Sequence, residues 1–477
     1  MQRKEFIKKA TLAFSAIPFL SFSKVLQDND LVYDAVIVGA GLSGLTAARQ
    51  LSKAGKKILV VEAQDRVGGR TWSRAIGDTD FIDIGGQWIG KGHNRMYELV
   101  AEAGLQTFPT YAKGTNILRL ENSNKRYTGD VPPLGIISLL QTQRGLNQFD
   151  RMASKIVLET PWTSKDAAYL DSISVGQWME ETLSNEKARM LIRRSAEGEL
   201  CQNIDDISLL QALSSAKATG SLRQAEKVED GALRDRILGG AQSVSNFLYD
   251  QMRGSVKLNC PVSFVHQMED YTLVGNDEFA VKTKKVIVTV PLPIAKKIKF
   301  TPDLPVQKLK LMESMKMGTV IKTHAIYSKP FWRDEGLSGM MTCLDEMVEL
   351  TVDNSVPGSE KGIITSLIHA DRAKALLQLS DRDRRDFVLM AYAEVFGTKA
   401  LTPMHYTDYS FTNNPWIGGA YSGYFDKGIY SKYGEYLSKP IGSIHWAGTE
   451  TSTLFKGFME GAVLSGERAA QEVLATL

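Results

Sequence analysis

The stretch that decides the fold is Val38-Gly39-Ala40-Gly41-Leu42-Ser43-Gly44, near the start of the chain. The residues before it, 33–38, are mostly apolar, which predicts a buried parallel strand. Leu42 to Ala54 has the apolar spacing of a helix, and Gly55 is a suitable stop for it. The sequence therefore predicts a strand, a tight glycine turn and a helix in immediate succession.

Each glycine of this turn has a separate physical task. Gly39 permits the tight turn, Gly41 lets the backbone approach a pyrophosphate, and Gly44 lets the helix pack close to the strand. The N-terminus of the helix offers oriented N–H groups to phosphate charge. Together these features predict a dinucleotide-binding turn.

A second strand is predicted at residues 57–61 and ends in Glu62. A carboxylate at the end of this strand can accept hydrogen bonds from ribose hydroxyls. The same carboxylate disfavours a 2′-phosphate, so NADP is not the expected ligand. The agreement of strand, turn, helix, second strand and terminal acid distinguishes this pattern from an isolated glycine motif.

The residues after Glu62 favour FAD over NAD. Ala63-Gln64-Asp65-Arg66-Val67-Gly68-Gly69-Arg70-Thr71 contains a pair of glycines that bring backbone near the cofactor, and Arg66 or Arg70 can neutralise phosphate. Asp83-Ile84-Gly85-Gly86-Gln87-Trp88 predicts another turn of close approach that carries an aromatic side chain. An ordinary loop is the alternative for its two glycines.

Another glycine-rich run lies almost a full chain away, at Trp446-Ala447-Gly448-Thr449-Glu450-Thr451. Residues 457–474 predict a helix whose N-terminus points toward the cofactor, where negative charge is stabilised. The two runs are suited to opposite ends of one flavin dinucleotide. The chain is therefore expected to leave the cofactor, build a substrate chamber and return to close the site.

The composition argues against several classes of function. Net charge is only +3 over 477 residues and the basic residues are scattered, so no nucleic-acid partner is expected. Cys201, Cys260, Cys343 and the six histidines lack metal-ligand spacing, so no metal site is predicted and free thiols are expected. A chain of this length predicts two domains or one elaborated domain.

Residues 1–28 have the layout of an export signal. A basic start at 3–9 precedes an apolar run at 10–22, which is too short to span a bilayer comfortably. The basic start resembles a twin-arginine signal with Lys4 in place of the second arginine, so export to a bacterial periplasm is predicted. A basic amphipathic helix on a cytoplasmic protein is the alternative. No other stretch is apolar enough to predict a stable membrane anchor.

The motifs at both ends of the chain carry a family resemblance. Arg66-Val67-Gly68-Gly69-Arg70-Thr71, Ala447 to Thr451 and Gly457-Phe458-Met459-Glu460-Gly461-Ala462-Val463 resemble the flavin-containing monoamine oxidases, the flavin amine oxidases of bacterial type. The resemblance spans residues 33–477 with the motifs in the same order. It implies an α/β FAD-binding domain of Rossmann-like type and an interleaved α+β substrate-binding domain.

The resemblance also implies how the two domains alternate along the chain. The FAD-binding domain would take residues 33–107, 238–311 and 414–477, and the substrate domain 108–237 and 312–413. Independently, residues 261–266 and 286–290 predict β segments, whereas 173–213 predicts a helix-rich stretch. That alternation suits an α/β domain interrupted by α+β insertions.

Three residues match catalytic positions of the family. The resemblance implies that Lys322 holds a water where reduced flavin meets oxygen, and that Tyr421 and Phe458 face each other before the flavin. The second aromatic is usually tyrosine; phenylalanine keeps the wall and removes a hydroxyl. Two aromatic faces make a slot for a slim, neutral amine. Without the motifs, Lys322 would be interpreted as a surface lysine and the two aromatics as core packing.

The cofactor site gains three further residues from the resemblance. Val262 matches a backbone contact with adenine, and Glu450 and Met459 match positions near the ribityl-phosphate and ring. The complete set predicted to bind FAD is Gly39, Gly41, Ser43, Gly44, Glu62, Arg66, Gly69, Arg70, Gly86, Gln87, Trp88, Val262, Gly448, Glu450 and Met459.

Three positions depart from the animal enzymes of the family. Ala420 stands where those enzymes have the cysteine that bonds FAD through sulfur, so non-covalent FAD is expected. Phe411 stands where a flavin-side tryptophan usually lies, and Trp416 nearby can substitute for it. Leu233 falls near a position where glutamine commonly contacts substrate. The pocket is therefore expected to favour aralkyl or other hydrophobic amines over polyamines.

The resemblance implies oxidation of a primary or secondary amine to an imine, which hydrolyses to an aldehyde and ammonia or a smaller amine. Electrons would pass to oxygen, giving hydrogen peroxide, or to a cytochrome-like acceptor. The alternatives are an L-amino-acid oxidase, which needs a cation for the substrate carboxylate, a polyamine oxidase, and a non-enzymatic flavin-binding protein. A homodimer is expected by family analogy alone.

Overall fold

The structure is a computed structural model that describes residues 32–77 and 79–477, apart from the side chains of residues 225 and 226. The export segment predicted at residues 1–28 lies outside the described residues. Two large β-sheets, several small ones and a group of helices make up the described chain.

The strands follow in chain order. They are β1 Val32–Val38, β2 Ile58–Val61, β3 Ser73–Ile76, β4 Asp80–Asp83, β5 Trp88–Ile89, β6 Thr107–Pro109, β7 Thr115–Leu120, β8 Ser123–Tyr127, β9 Asp235–Ile237, β10 Val256–Lys257 and β11 Phe264–Gln267. They continue with β12 Thr272–Gly275, β13 Ala280–Val288, β14 Lys299–Thr301, β15 Lys316–Met317, β16 Val320–Tyr327, β17 Leu337–Cys343, β18 Leu350–Asp353, β19 Gly362–His369, β20 His405–Tyr409, β21 Gly423–Tyr424 and β22 Ile444–Trp446.

The α-helices are α1 Leu42–Lys53, α2 Asn94–Glu102, α3 Ile136–Ser154, α4 Ala167–Ser172, α5 Val175–Thr182, α6 Glu186–Leu200, α7 Leu209–Thr219, α8 Leu222–Glu226, α9 Gln242–Asp250, α10 Leu292–Ala295, α11 Val306–Ser314, α12 Ala370–Leu376, α13 Asp381–Phe396, α14 Tyr430–Tyr433 and α15 Met459–Leu474. Short 3₁₀ helices lie at Pro161–Thr163, Arg253–Ser255, Phe331–Glu335, Thr398–Leu401, Phe411–Asn413, Gly434–Leu437 and Thr449–Thr451.

The first large sheet is mixed, with a parallel centre. Its strand order is β10-β2-β1-β13-β12-β11-β14, and β22 lies parallel to the C-terminal end of β13. Alternate residues of β1 face opposite sides: Ala35 and Ile37 pack with α1 and α15, whereas Val36 and Val38 join the core that contains α5 to α7. Because both faces are covered, β1 and β2 are nearly continuous apolar runs.

The glycine turn between β1 and α1 is as tight as its sequence predicts. Gly39 has a φ of +108°, and a Cβ on Gly44 would lie 2.0 Å from the Gly39 carbonyl oxygen. Only glycine at position 44 therefore allows the helix to pack this close to the strand. The predicted strand, helix and second strand are confirmed to within one residue.

The C-terminal helix α15 packs along α1. A Cβ on Gly466 would meet the Ser43 carbonyl oxygen at 2.3 Å, so the two helices are in backbone contact. The helix begins at Met459 rather than at Gly457. Gly457 has a φ of +86° and Phe458 has the extended backbone of an N-cap residue, so neither can belong to the first helical turn.

Two β predictions need correction at their ends. The segment predicted at 261–266 begins as a strand only at Phe264, since Pro261 has no N–H to donate to a sheet. The segment predicted at 286–290 is the end of β13, which starts at Ala280 and stops at Val288. Lysines in the first half of β13 obscured its strand pattern.

The second large sheet has the order β20-β16-β19-β18-β17-β7-β8. Its central strands β16 and β19 are antiparallel over their full length, from Val320 opposite His369 to Tyr327 opposite Gly362, and both are buried throughout. Residues 173–213 contain α5, α6 and the first part of α7, which confirms the predicted helix-rich stretch.

Within the described residues, no helix combines the length and the apolar character needed to cross a membrane. Cys201, Cys260 and Cys343 are buried free thiols, which confirms that prediction. The Cys343 sulfur lies near the carboxylates of Asp345 and Glu346. Burial raises the pKa of the Cys343 thiol to about 12, so it is protonated at neutral pH.

Candidate active site

One end of the site lies at the carboxyl edge of the first large sheet. Strands β1, β2, β13 and β22 are parallel and end in register at this edge. The residues that follow the four strands and line a common cavity are Gly39, Glu62, Thr289 and Gly448. The carboxyl edge of parallel strands is where α/β sheets bind their ligands.

The cavity has a volume of about 870 Å³ and extends from this edge to the second large sheet. All residues predicted from the sequence for the cofactor and for catalysis line it, except Gly44, Arg66 and Glu450. Gly44 is instead the packing residue between α1 and β1. The two motifs at opposite ends of the chain thus meet in one place.

Backbone forms much of the cofactor end. A Cβ on Gly41 would have no protein atom within 4 Å, so open space of the cavity lies directly against this glycine. Gly69 and Gly448 have φ values of +56° and +111°, and both also line the cavity. These glycines leave backbone exposed to a ligand, as close approach to a pyrophosphate requires.

Glu62 presents a buried carboxylate at the end of β2. One oxygen accepts a hydrogen bond from the Ala40 N–H at 2.7 Å, and the other accepts from the Gln64 N–H at 2.9 Å. These bonds tie the carboxylate to the glycine turn. Its remaining lone pairs can accept hydroxyl donors from the cavity.

The two arginines of the first motif have different neighbours. Arg70 lines the cavity and is clamped by Glu450, with Nη1–Oε1 and Nη2–Oε2 distances of 2.6 and 3.1 Å. Arg66 donates to the carbonyl oxygens of Gly69 and Thr71 at 2.9 and 3.2 Å. Arg66 therefore holds the shape of the glycine loop from behind, and Glu450 orients Arg70.

Lys322 lies within β16, two residues after its start, and is buried, unlike a surface lysine at a strand end. Its Nζ donates to the Gly85 carbonyl at 2.9 Å and to the Gln87 side-chain oxygen. Burial lowers the pKa of the ammonium to about 7; the Asp83 carboxylate opposes this shift and the Arg236 guanidinium adds to it.

Aromatic side chains surround the middle of the cavity. Tyr421 and Phe458 both line it, as does Trp88, whose ring centre lies 5.2 Å from the Lys322 Nζ. Phe458 packs against His93 at 5.3 Å between ring centres. Burial lowers the pKa of His93 to about 4, so this neighbour is neutral. Other aromatic residues that line the cavity are Tyr127, Tyr409, Phe411 and Trp416.

The far end of the cavity is a chamber between the second large sheet and the helices α3 and α6. Its apolar lining includes Leu139, Leu146, Leu191, Ile192, Leu233, Val320, Met340, Leu350, Val352 and Leu367. Arg194 and Glu199, which carry opposite charges, also line it. Of these residues, the sequence analysis identified only Leu233.

His369 is another lining residue that the sequence analysis missed. It ends the buried strand β19 and is itself 2% exposed. A polar residue that closes an apolar eight-residue strand is the one signal in the sequence that could have identified it.

Comparisons with known proteins agree with this geometry. Residues 42–474 match the model of the family described as flavin containing amine oxidoreductase. The chain is 34% identical to the putative flavin-containing monoamine oxidase AofH of Mycobacterium tuberculosis, over 93% of this chain and 97% of that protein. It is also 34% identical to the putrescine oxidase of Kocuria rosea, over 92% and 95% of the two chains.

The chain belongs to the flavin-containing amine oxidoreductases. A solved structure of putrescine oxidase bound to putrescine superposes with a TM-score of 0.90 at 33% identity, covering 93% of this chain and 99% of that one. The family resemblance and the predicted FAD-binding fold with its interleaved second region are confirmed. This amine oxidoreductase uses FAD and oxidises amines.

The residues present in the amine oxidoreductase fit that cofactor. The open space against Gly41 and the buried Glu62 carboxylate provide close backbone and a hydroxyl acceptor in one cleft, and the Arg70 guanidinium, paired with Glu450, also lines it. When bound, FAD supplies the electron-accepting ring of the reaction.

Proposed function

We propose that the enzyme oxidises a primary or secondary amine with an apolar, aralkyl body to the imine, which water converts to an aldehyde. The observation that carries this proposal is the chamber, where Leu146, Ile192, Leu350 and Leu367 offer apolar surface to the body of a substrate. Arg194 and Glu199 bring opposite charges, which gives no net attraction to a second ammonium group.

Tyr421 and Phe458 are the proposed walls of the slot through which the amine nitrogen reaches the cofactor end. An alkylamine has a pKa of about 10.4, and making it neutral at pH 7 costs roughly 4–5 kcal/mol. Apolar walls disfavour the ammonium and offset part of that cost. Reduction by the amine is therefore expected to speed up as the pH rises toward the pKa of the amine.

Lys322 is the proposed site of contact with oxygen. Its Nζ already donates to Gly85 and Gln87, and as an ammonium it keeps a third N–H for a water or an oxygen molecule in the cavity. Oxygen would then be the electron acceptor and hydrogen peroxide the product. Stopped-flow reoxidation of the reduced enzyme by oxygen distinguishes this acceptor from a cytochrome.

The substrate class is tested by anaerobic bleaching of the flavin with phenethylamine, putrescine and L-phenylalanine. We expect phenethylamine to bleach the flavin fastest. Faster bleaching by putrescine would assign a diamine oxidase instead, and faster bleaching by L-phenylalanine would assign an amino-acid oxidase. No bleaching by any compound would support a flavin-binding protein without this activity.

We also propose that FAD is held without a covalent bond. The support is Ala420, a buried residue that lines the cavity and whose methyl group has no nucleophile. Acid precipitation should leave the yellow colour in the supernatant. Colour in the protein pellet would contradict the proposal.

Two further proposals depend on the sequence and on family analogy. Export through residues 1–28 predicts that the enzyme is recovered from the periplasm, and that replacing Arg3 and Lys4 by glutamine retains it in the cytoplasm. A homodimer predicts about twice the monomer mass of 52.7 kDa in sedimentation, less any cleaved segment.

A further inference from the structure

A hydroxyl, an imidazole and a carboxylate stand in a row at the wall of the cavity. The Tyr421 hydroxyl lies 3.0 Å from His369 Nε2, and His369 Nδ1 is hydrogen-bonded to Glu349. Tyr421 and His369 line the cavity, while Glu349 stands behind them and is 1% exposed. The row therefore leads from the cavity into the protein.

The partners of His369 determine its tautomer. The Glu349 carboxylate can only accept, so Nδ1 carries the proton and donates it to Glu349. Nε2 then has a free lone pair, and the Tyr421 hydroxyl donates to it. This is the arrangement by which a carboxylate and a histidine draw a proton from a hydroxyl in enzymes that use such triads.

The carboxylate at the back of the row is held ionised. Burial raises the pKa of Glu349, but the interaction with His369, which includes a hydrogen bond, and the charges of Arg372 and Arg194 outweigh it, so the net pKa lies below its usual value. Arg372 Nη1 lies 3.1 Å from Glu349 and 2.8 Å from Glu197 on α6. An imidazolium at His369 would thus form next to a fixed negative charge.

We propose that Tyr421, His369 and Glu349 form a proton relay that takes the proton from the bound ammonium before it is oxidised. The proposal rests on the amine-oxidising function. One N–H bond of the ammonium breaks and an O–H bond forms at Tyr421, while the original Tyr421 O–H bond breaks and an N–H bond forms at His369 Nε2. The amine gains its lone pair, the imidazolium is stabilised by Glu349, and total charge is unchanged. After product release the proton returns to solvent by the reverse route.

The relay would supply the neutral amine that the oxidation requires. With a pKa of about 10.4, roughly one alkylamine molecule in 2,500 is neutral at pH 7. A relay lets part of the abundant ammonium bind and lose its proton inside the site, so the wild-type rate should rise with pH less steeply than the fraction of free amine does. Tyr421 contacts the substrate, whereas His369 and Glu349 act through it and are positioning residues.

The charged groups around His369 come from several elements. Glu349 precedes β18, Arg372 lies on α12, and Arg194, Glu197 and Glu199 lie on α6. Two further titratable groups lie near the row: Lys322, which lines the cavity, and the buried Cys201 thiol, which interacts with Glu349 and with the Tyr421 backbone. A substitution at His369 also changes the charges around it, so the loss of proton transfer must be distinguished from this general electrostatic effect.

The first experiment measures the rate of anaerobic flavin reduction between pH 6 and pH 10 with whichever amine of the panel reacts fastest. We expect Tyr421→Phe and His369→Gln to lower this rate at pH 7 by about 100-fold, the range of general acid–base catalysis. At pH 10, where the free amine is abundant, both variants should recover to within about threefold of the wild type. Glu349→Gln should give the same pattern with a smaller loss.

A matched control removes another buried tyrosine hydroxyl. Tyr327 donates to the Ala400 carbonyl at 2.9 Å and does not line the cavity, so Tyr327→Phe should leave the pH profile unchanged. A loss in Tyr421→Phe or His369→Gln that is equal at all pH values would mean a structural role only. An unchanged profile in either variant would also overturn the relay.

A second measurement needs no turnover. An α,α-dimethyl phenethylamine has no hydrogen on the carbon beside nitrogen, so it binds without being oxidised. Calorimetry of the holoenzyme in buffers of different ionisation enthalpy counts the protons released on binding. We expect about zero for the wild type, which keeps the proton in the relay, and about one for His369→Gln. Equal counts would contradict the relay. Failure of this ligand to bind would count against the aralkyl substrate class, while the pH profiles still decide the relay.

Discussion

The cofactor end of the cavity is lined mainly by main-chain groups, whereas the substrate chamber is lined by side chains. At the cofactor end, four strand ends and several glycines present main-chain groups to the ligand. In the chamber, side chains from α3, α6 and β16 to β19 form the walls. The first surface depends on backbone geometry and the second on side-chain identity, so substitutions in the two places should have different kinds of effect.

The largest effect should come from Gly44 at the cofactor end. Gly44→Ala places a Cβ 2.0 Å from the Gly39 carbonyl oxygen, and separating α1 from β1 should cost about 3 kcal/mol in the free energy of unfolding. Gly41→Ala is the matched control, since its Cβ meets no protein atom within 4 Å. It should leave the stability of the FAD-free protein within about 0.5 kcal/mol and weaken FAD binding.

Denaturant unfolding and FAD titration of the two glycine variants separate these outcomes. If Gly44→Ala proved as stable as Gly41→Ala, the packing role of Gly44 would be wrong. If Gly41→Ala bound FAD as tightly as the wild type, the cofactor would not approach the backbone at this point.

The next effect in size concerns Lys322, where the two ends of the cavity meet. With a pKa of about 7, its amino group is charged below pH 7 and neutral above it. Since positive charge favours electron transfer to oxygen, reoxidation of the reduced enzyme should slow as the pH rises through about 7. Lys322→Met should be about 100-fold slower and should lose this pH dependence. Stopped-flow reoxidation between pH 5.5 and pH 9 measures both, and an unchanged midpoint in the variant would exclude Lys322 as its source.

The smallest effect is expected from a chamber wall. Leu350→Ala removes apolar surface from β18 and should lower kcat/KM for phenethylamine about tenfold. The flavin spectrum and the affinity for FAD should stay those of the wild type, because Leu350 belongs to the side-chain surface. A parallel loss of FAD affinity would show that the two ends of the cavity are not independent.

The same difference explains what the sequence could predict. The turn from β1 to α1 is local: its glycines, its strand and Glu62 are neighbours in the chain, and each has a distinct conformational requirement. The chamber brings together Leu146, Leu350 and His369, which nothing local connects. Leu233 was found only because a family position lies near it.

Where the predictions missed, the cause is physical. The lysines of β13 hide a strand that is covered on both sides by β1 and β12. That Arg66 or Arg70 neutralises phosphate stays a prediction; three carbonyl groups lie within reach of the Arg66 N–H donors, a contact that the sequence did not indicate. His369 has no local motif, because its hydrogen-bond partners, the Glu349 carboxylate and the Tyr421 hydroxyl, come from distant parts of the sequence.

The pairing of β22 with β13 and of α15 with α1 has a consequence for biosynthesis. Until Trp446 and Gly466 have left the ribosome, the C-terminal end of one edge of β13 and one face of α1 have no partner. A nascent chain thus displays the dinucleotide turn long before it can retain a flavin. We therefore expect flavin to be retained only after the final helix has been made, and a chain that ends before this helix to be colourless.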